Sequence, residues 1–196
     1  MATKKRTSKI EKEKRKKNSF KKIIEKFINR WYERDIPKKW DIKAQILKVI
    51  EEYWEYCNWV ITKNNNIVLD SLWDIVVAII NLLSIIKEQY WVNIKPNYNI
   101  LLDWKKEIDK LIFIDKEILM WKNLWRLSEI ILKCDLKEKK DEIKDIIEEI
   151  FFVLKYLADR YMEPFDWILN NVLTELEKRK WKIINWNYIK KEDLNK

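Results

Sequence analysis

Glycine does not occur once in the 196 residues of this chain. At a usual share of roughly 7%, about 14 would be expected, and drawing none has a probability on the order of one in a million. Histidine is missing too. Its absence removes imidazole metal ligands, imidazole general bases and every Ser-His or Cys-His nucleophile arrangement. The two cysteines, Cys57 and Cys134, each sit inside a helical pattern. They make neither a disulfide framework nor a zinc spacing, and a reducing, cytoplasmic setting is the simplest expectation. No apolar run is expected to reach membrane-spanning length, since Ile75 to Ile86 is interrupted by Asn81 and Ser84. The N-terminus is basic without the apolar core of a secretory signal. No membrane partner is expected.

What is present is 47% hydrophobic and 37% charged residues, the composition of a globular chain with one core or two small helical units. The net charge of +9 is confined to residues 1–22, where eleven lysines and arginines face only Glu11 and Glu13. Such a run repels itself and is solvated, with non-specific nucleic-acid contact as its functional reading. No interleaved aromatics support sequence readout.

The middle of the first half carries two helical patterns separated by Asn64-Asn65-Asn66. In the first, Ile46, Leu47, Val49, Ile50 and Tyr53 form an apolar stripe beside Glu51, Glu52 and Glu55. In the second, Leu69, Leu72, Ile75, Val76, Ile79, Ile80 and Leu83 form the stripe, with Asp70 and Asp74 one turn apart. Residues three and four apart share a face, so an antiparallel hairpin would gather four or five carboxylates against a hydrophobic wall. Crowded carboxylates need a cation, and oxygen-only ligation suits Mg²⁺ or Mn²⁺. Spacing alone serves a solvated acidic face equally well.

The pattern Gln45-x-x-Lys48-x-x-Glu51-Glu52-x-x-Glu55, followed by Asp70-Ser71-Leu72-x-Asp74-Ile75-x-Val77, resembles the MazG-like nucleotide pyrophosphohydrolases. These are all-α proteins with EExxE on one helix and ExxD on the next, together binding Mg²⁺. The ExxD glutamate position holds Ser71 here, with the acid one residue earlier at Asp70. The resemblance implies an all-α helical bundle that hydrolyses a nucleoside triphosphate to the monophosphate and pyrophosphate in nucleotide-pool housecleaning. It implies metal ligands among Glu51, Glu52, Glu55, Asp70 and Asp74, with Glu51 or Glu52 as the base that activates water. Lys48, Lys178, Arg179 and Lys182 are the candidates for phosphate contact. The family's bundles are commonly built from two or more subunits, so a homo-oligomer or an intramolecular pseudo-dimer is implied. The competing reading is a catalytically inactive helical binding module whose basic tail recruits nucleic acid or a partner.

The 12 tryptophans sit where the family wants glycine. Its first motif reads E-E-x-G-E where this chain has Trp54, its second places glycine before the aspartate where this chain has Trp73, and Arg179-Lys180-Trp181-Lys182 with Asn185-Trp186 resembles a family ending RKGKxxNG. A code that reads UGA as glycine, decoded as though UGA were tryptophan, would produce this signature; Trp31 reads as a genuine exception.

The remaining organisation follows from periodicity and punctuation. Residues 1–19 form a tail and 20–92 the motif unit, opened by an amphipathic helix from Phe20 to Trp31 and a turn at Asp35 to Lys39 around Pro37. Residues 93–100 read as a linker around Pro96. Residues 101–180 form a second helical unit that resembles a worn copy of the first. Aligning Trp54 with Trp125 pairs Glu51, Glu52 and Glu55 with Lys122, Asn123 and Arg126, and a separate offset pairs Asp70 and Asp74 with Asp145 and Glu149. The acids are gone from this copy, which would leave cations for a phosphate chain. Its last helix starts at Glu163-Pro164. Residues 181–196 form a C-terminal tail expected to be short and hairpin-like; glycine at 186 would make Asn-Gly the strongest turn signal, which lapses with tryptophan there.

Overall fold

The computed structural model describes residues 20–63, 65–101, 113–160, 181–184 and 187–190. It is an all-α helical bundle with a short two-stranded hairpin near the C-terminus. Helix α1 covers residues 20–33 and buries Phe20, Ile23, Ile24, Phe27 and Trp31, the stripe its spacing predicts. The turn expected around Pro37 is a single helical turn, α2 (Ile36–Lys39), because proline is tolerated in the first turn where no N–H bond is needed. Helix α3 (Ile42–Ile61) starts four residues before the first residue of the apolar stripe, Ile46. Asp41 caps it, Oδ1 accepting from the backbone N–H of Lys43 at 2.6 Å and of Ala44 at 3.2 Å.

Helix α4 (Asn65–Tyr90) is the axis of the molecule. Val68, Leu72, Trp73, Ile75, Val76, Ile79, Ile80, Leu82, Ile85 and Ile86 are all buried along it. Here one sequence expectation is corrected. The stretch Ile67–Tyr90 is 24 residues with a mean hydropathy of 1.9, long and apolar enough to cross a membrane by length and composition. Asn81 and Ser84 do not interrupt it, since the Ser84 hydroxyl donates to the Ile80 carbonyl at 2.9 Å and Asn81 bonds across to α3. Within the molecule 78% of its most apolar window is buried, because α2, α3 and α6 pack around it. A helix apolar on every side is what a central position requires.

After α4 the chain runs without regular structure to a 3₁₀ turn (Tyr98–Leu101) that packs on helix α6 (Lys140–Arg160). Helix α5 (Phe113–Lys133) pairs with α6. The two hairpins repeat one burial pattern. Gln45, Val49, Glu52, Tyr53 and Tyr56 of α3 are buried, and so are Lys116, Met120, Asn123, Leu124 and Leu127 at the aligned positions of α5. Leu47, Trp54 and Ile61 are exposed, as are Ile118, Trp125 and Leu132. Equivalent helices also touch, α3 against α5 and α4 against α6, the relation expected of two copies around a pseudo-two-fold axis.

Strands β1 (Trp181–Ile184) and β2 (Asn187–Lys190) pair antiparallel, from Trp181 opposite Lys190 to Ile184 opposite Asn187. The short hairpin-like C-terminal tail expected of the sequence is therefore present, with the sequence as it stands. The C-terminal helix expected from Glu163, and Lys178 and Arg179 within it, lie outside the described residues.

Candidate functional site: an acidic seam between α3 and α4

Gln45 sets the register of the two motif helices. Its Nε2 donates to the Ala78 carbonyl at 2.9 Å and its Oε1 accepts from Asn81 Nδ2 at 2.7 Å, both in the buried seam. In an antiparallel pair, each step up one helix is a step down the other. Glu52 thus comes level with residues 71–74 and Glu55 with residues 68–71. The seam positions of α3 are Gln45, Val49, Glu52 and Tyr56, all buried. On α4 the matching steps of three and four are Ser71, Asp74, Ala78 and Asn81. The EExxE and ExxD-like segments therefore lie at one level of one hairpin.

The seam distinguishes the five acids. Glu52 is only 7% exposed, while Glu51 and Glu55 are exposed at its edge and Asp74 is half-buried. Asp70 is exposed. The buried position one turn before Asp74 belongs to Ser71, whose hydroxyl donates to the Ile67 carbonyl at 3.1 Å. Asp70 sits about 100° around the helix from Ser71, on the exposed side, while remaining one turn from Asp74.

Lys48 is the resident cation. Its Nζ lies 2.7 Å from Glu52 Oε1 and 3.2 Å from Glu51 Oε2. Burial alone would lower the lysine pKa, but hydrogen bonds and charge from Glu52 and Glu51 outweigh it and hold the ammonium above its ordinary value. Glu52 fares differently. Burial pushes its carboxyl above the usual range, Lys48 pulls it back by less, and the charges of Glu55 and Glu51 push it further up. One ammonium paired with two carboxylates, with the charge of Glu55 added nearby, leaves the buried one under-neutralised. The donor types suit a hard divalent cation. As the side chains stand, however, no three Asp, Glu, Cys or His side chains among the described residues form a group able to hold a metal ion; the lysine occupies the carboxylates instead.

The second half contributes differently from what its sequence suggests. Arg126, aligned with Glu55, is engaged by Glu129 at 2.7 Å and by Glu142 at 2.6 Å, so its guanidinium serves the α5–α6 pair rather than a phosphate chain. Lys122 is exposed and Asn123 is buried. Lys182 lies on β1 opposite Ile189.

One polar cluster carries no motif and was not read from the sequence. Glu117 of α5 accepts from the Tyr53 hydroxyl at 2.5 Å and from the Tyr56 hydroxyl at 2.8 Å. The two rings stack with centroids 5.7 Å apart, and Trp121 packs edge-on to Tyr53. Burial, then Glu117, pushes the Tyr53 phenol far above its usual range. Burial also pushes the Cys57 thiol up to about 11, which leaves it protonated and unreactive near neutral pH. Tyr53 and Tyr56 directly follow Glu52 and Glu55, so the clamp fixes the rotation of α3 that presents the acids. The only sequence signal was a pair of tyrosines three apart on an apolar stripe. No protein-family model matches the chain, and neither a curated protein nor a solved structure matches it.

Proposed function

We propose that the chain is a Mg²⁺-dependent nucleoside triphosphate pyrophosphohydrolase that releases pyrophosphate and a nucleoside monophosphate, with Mn²⁺ able to replace Mg²⁺. The supporting observation is the under-neutralised, buried Glu52 set level with Asp74 across the α3–α4 hairpin. When bound, the metal supplies neutralising charge for the triphosphate and a water of lowered pKa. The chain's own part is to hold that charge. Glu52 and Asp74 lie inside the seam and Glu51 and Glu55 at its mouth. With no histidine in the chain, the proton of the attacking water falls to a carboxylate, Glu51 or Glu52. Lys48, already beside both, is placed to transfer its charge to a phosphate, with Lys178, Arg179 and Lys182 as further phosphate contacts.

A second reading is favoured by Ser71. A hydroxyl bonded to its own helix, in the position where the resembled family has a ligand, suits an inactive helical module that binds nucleic acid or a partner through residues 1–22. Pyrophosphate release from a nucleotide panel with and without Mg²⁺ separates the two. Asp74→Asn should lower the metal-dependent rate at least about a hundredfold, as loss of a charged ligand does, with helicity unchanged by circular dichroism. Undiminished turnover in that variant would sink the enzymatic reading.

A further inference from the structure

We infer that the native protein carries glycine, not tryptophan, at positions 54, 91 and 125. Position 91 is the most demanding. Helix α4 ends at Tyr90, and Trp91 has φ 58° with its side chain 86% exposed. The residue just past a helix C-terminus is where chains turn left-handed, and glycine dominates there because a Cβ opposes the turn. Lys63 holds the same φ of 58° just after α3, so the angle alone does not name glycine. The difference lies in the side chain. A lysine in solvent is at ease, whereas an indole at that exposure adds apolar surface to the strain of the turn.

Two more positions admit glycine, although a helix interior does not itself ask for it. Trp54 and Trp125 occupy matching places on α3 and α5 and are 65% and 78% exposed. Neither is held in the core, so replacing either with glycine leaves no cavity. Trp73 is fully buried, and its indole is accommodated in the core; the geometry gives no reason for glycine at that position. Together with a chain that otherwise lacks glycine entirely, these placements fit UGA codons specifying glycine.

Mass spectrometry of the protein isolated from its source provides the test, and its result does not depend on whether the chain hydrolyses nucleotides. Peptides spanning Glu88 to Asn99 and Ile50 to Asn58 should carry glycine at 91 and 54. Tryptophan at either position overturns the inference. In recombinant protein of the printed sequence, Trp91→Gly should raise Tm by about 2–4 °C, the shift expected from relieving a left-handed Cβ. Trp91→Ala, which keeps the Cβ, should raise it less. A Trp91→Gly protein that melts no higher than its parent removes the geometric ground.

Discussion

Glu52 is the residue on which stability and the proposed activity oppose each other. Its folded-state pKa is raised, so the folded chain holds a proton more tightly than the unfolded chain does. The contribution of Glu52 is therefore fully favourable below the unfolded carboxylate value near 4.5 and is lost as pH rises through the raised value. Glu52→Gln should then melt higher than the parent at pH 7.5, and the advantage should disappear at pH 4. Thermal unfolding at the two pH values checks this, and a parent that is the more stable at pH 7.5 would refute it. The same variant should lose Mg²⁺-dependent pyrophosphate release. A variant that gains stability while losing activity is the usual mark of a charge retained for function rather than for folding.

At the level of elements, the α3–α5 contact rests on a clamp with a definite cost of removal. Glu117→Ala would strand two phenol hydroxyls that lie in the buried seam, Tyr53 and Tyr56 both being 0% exposed. Each stranded group costs about 1–3 kcal/mol, so Tm should fall on the order of 10 °C. Glu117→Gln, which keeps one acceptor oxygen, should fall by less, and equal losses in the two variants would mean the hydroxyls find other acceptors. The basic tail is predicted to be separable from the site. Deleting residues 1–17 should leave nucleotide hydrolysis unchanged while weakening salt-sensitive binding to nucleic acid, measured by titration at two salt concentrations. Loss of hydrolysis on truncation would place the tail in the site.

For the whole molecule, the repeated burial pattern and the contacts between equivalent helices mean that each hairpin covers the other's apolar face. Residues 1–97 expressed alone should therefore self-associate or precipitate, because Tyr53, Tyr56 and much of α4 would be stripped of α5 and α6. Light scattering on that fragment gives the answer, and a stable monomer would contradict it. The pairing is also unequal. Lys122, Asn123 and Arg126 replace the three acids, and Arg126 is committed to Glu129 and Glu142, so one acidic seam per chain is expected.

The sequence by itself determined the all-α class, the stripes that became α1, α3 and α4, and the exclusion of imidazole chemistry. Those properties follow from period, punctuation and composition, which are local. Only the tertiary structure decided that Ser71 is buried in the seam while Asp70 is exposed, that Lys48 already pairs with Glu51 and Glu52, and that Arg126 reaches Glu142 of α6. It also decided that the long apolar stretch from Ile67 to Tyr90 is a core helix with partners on several sides. Each of these depends on the rotation of one helix against another. That rotation is fixed by contacts between residues far apart in the chain, Gln45 with Asn81 and Tyr53 with Glu117, and no pattern within a single helix encodes it.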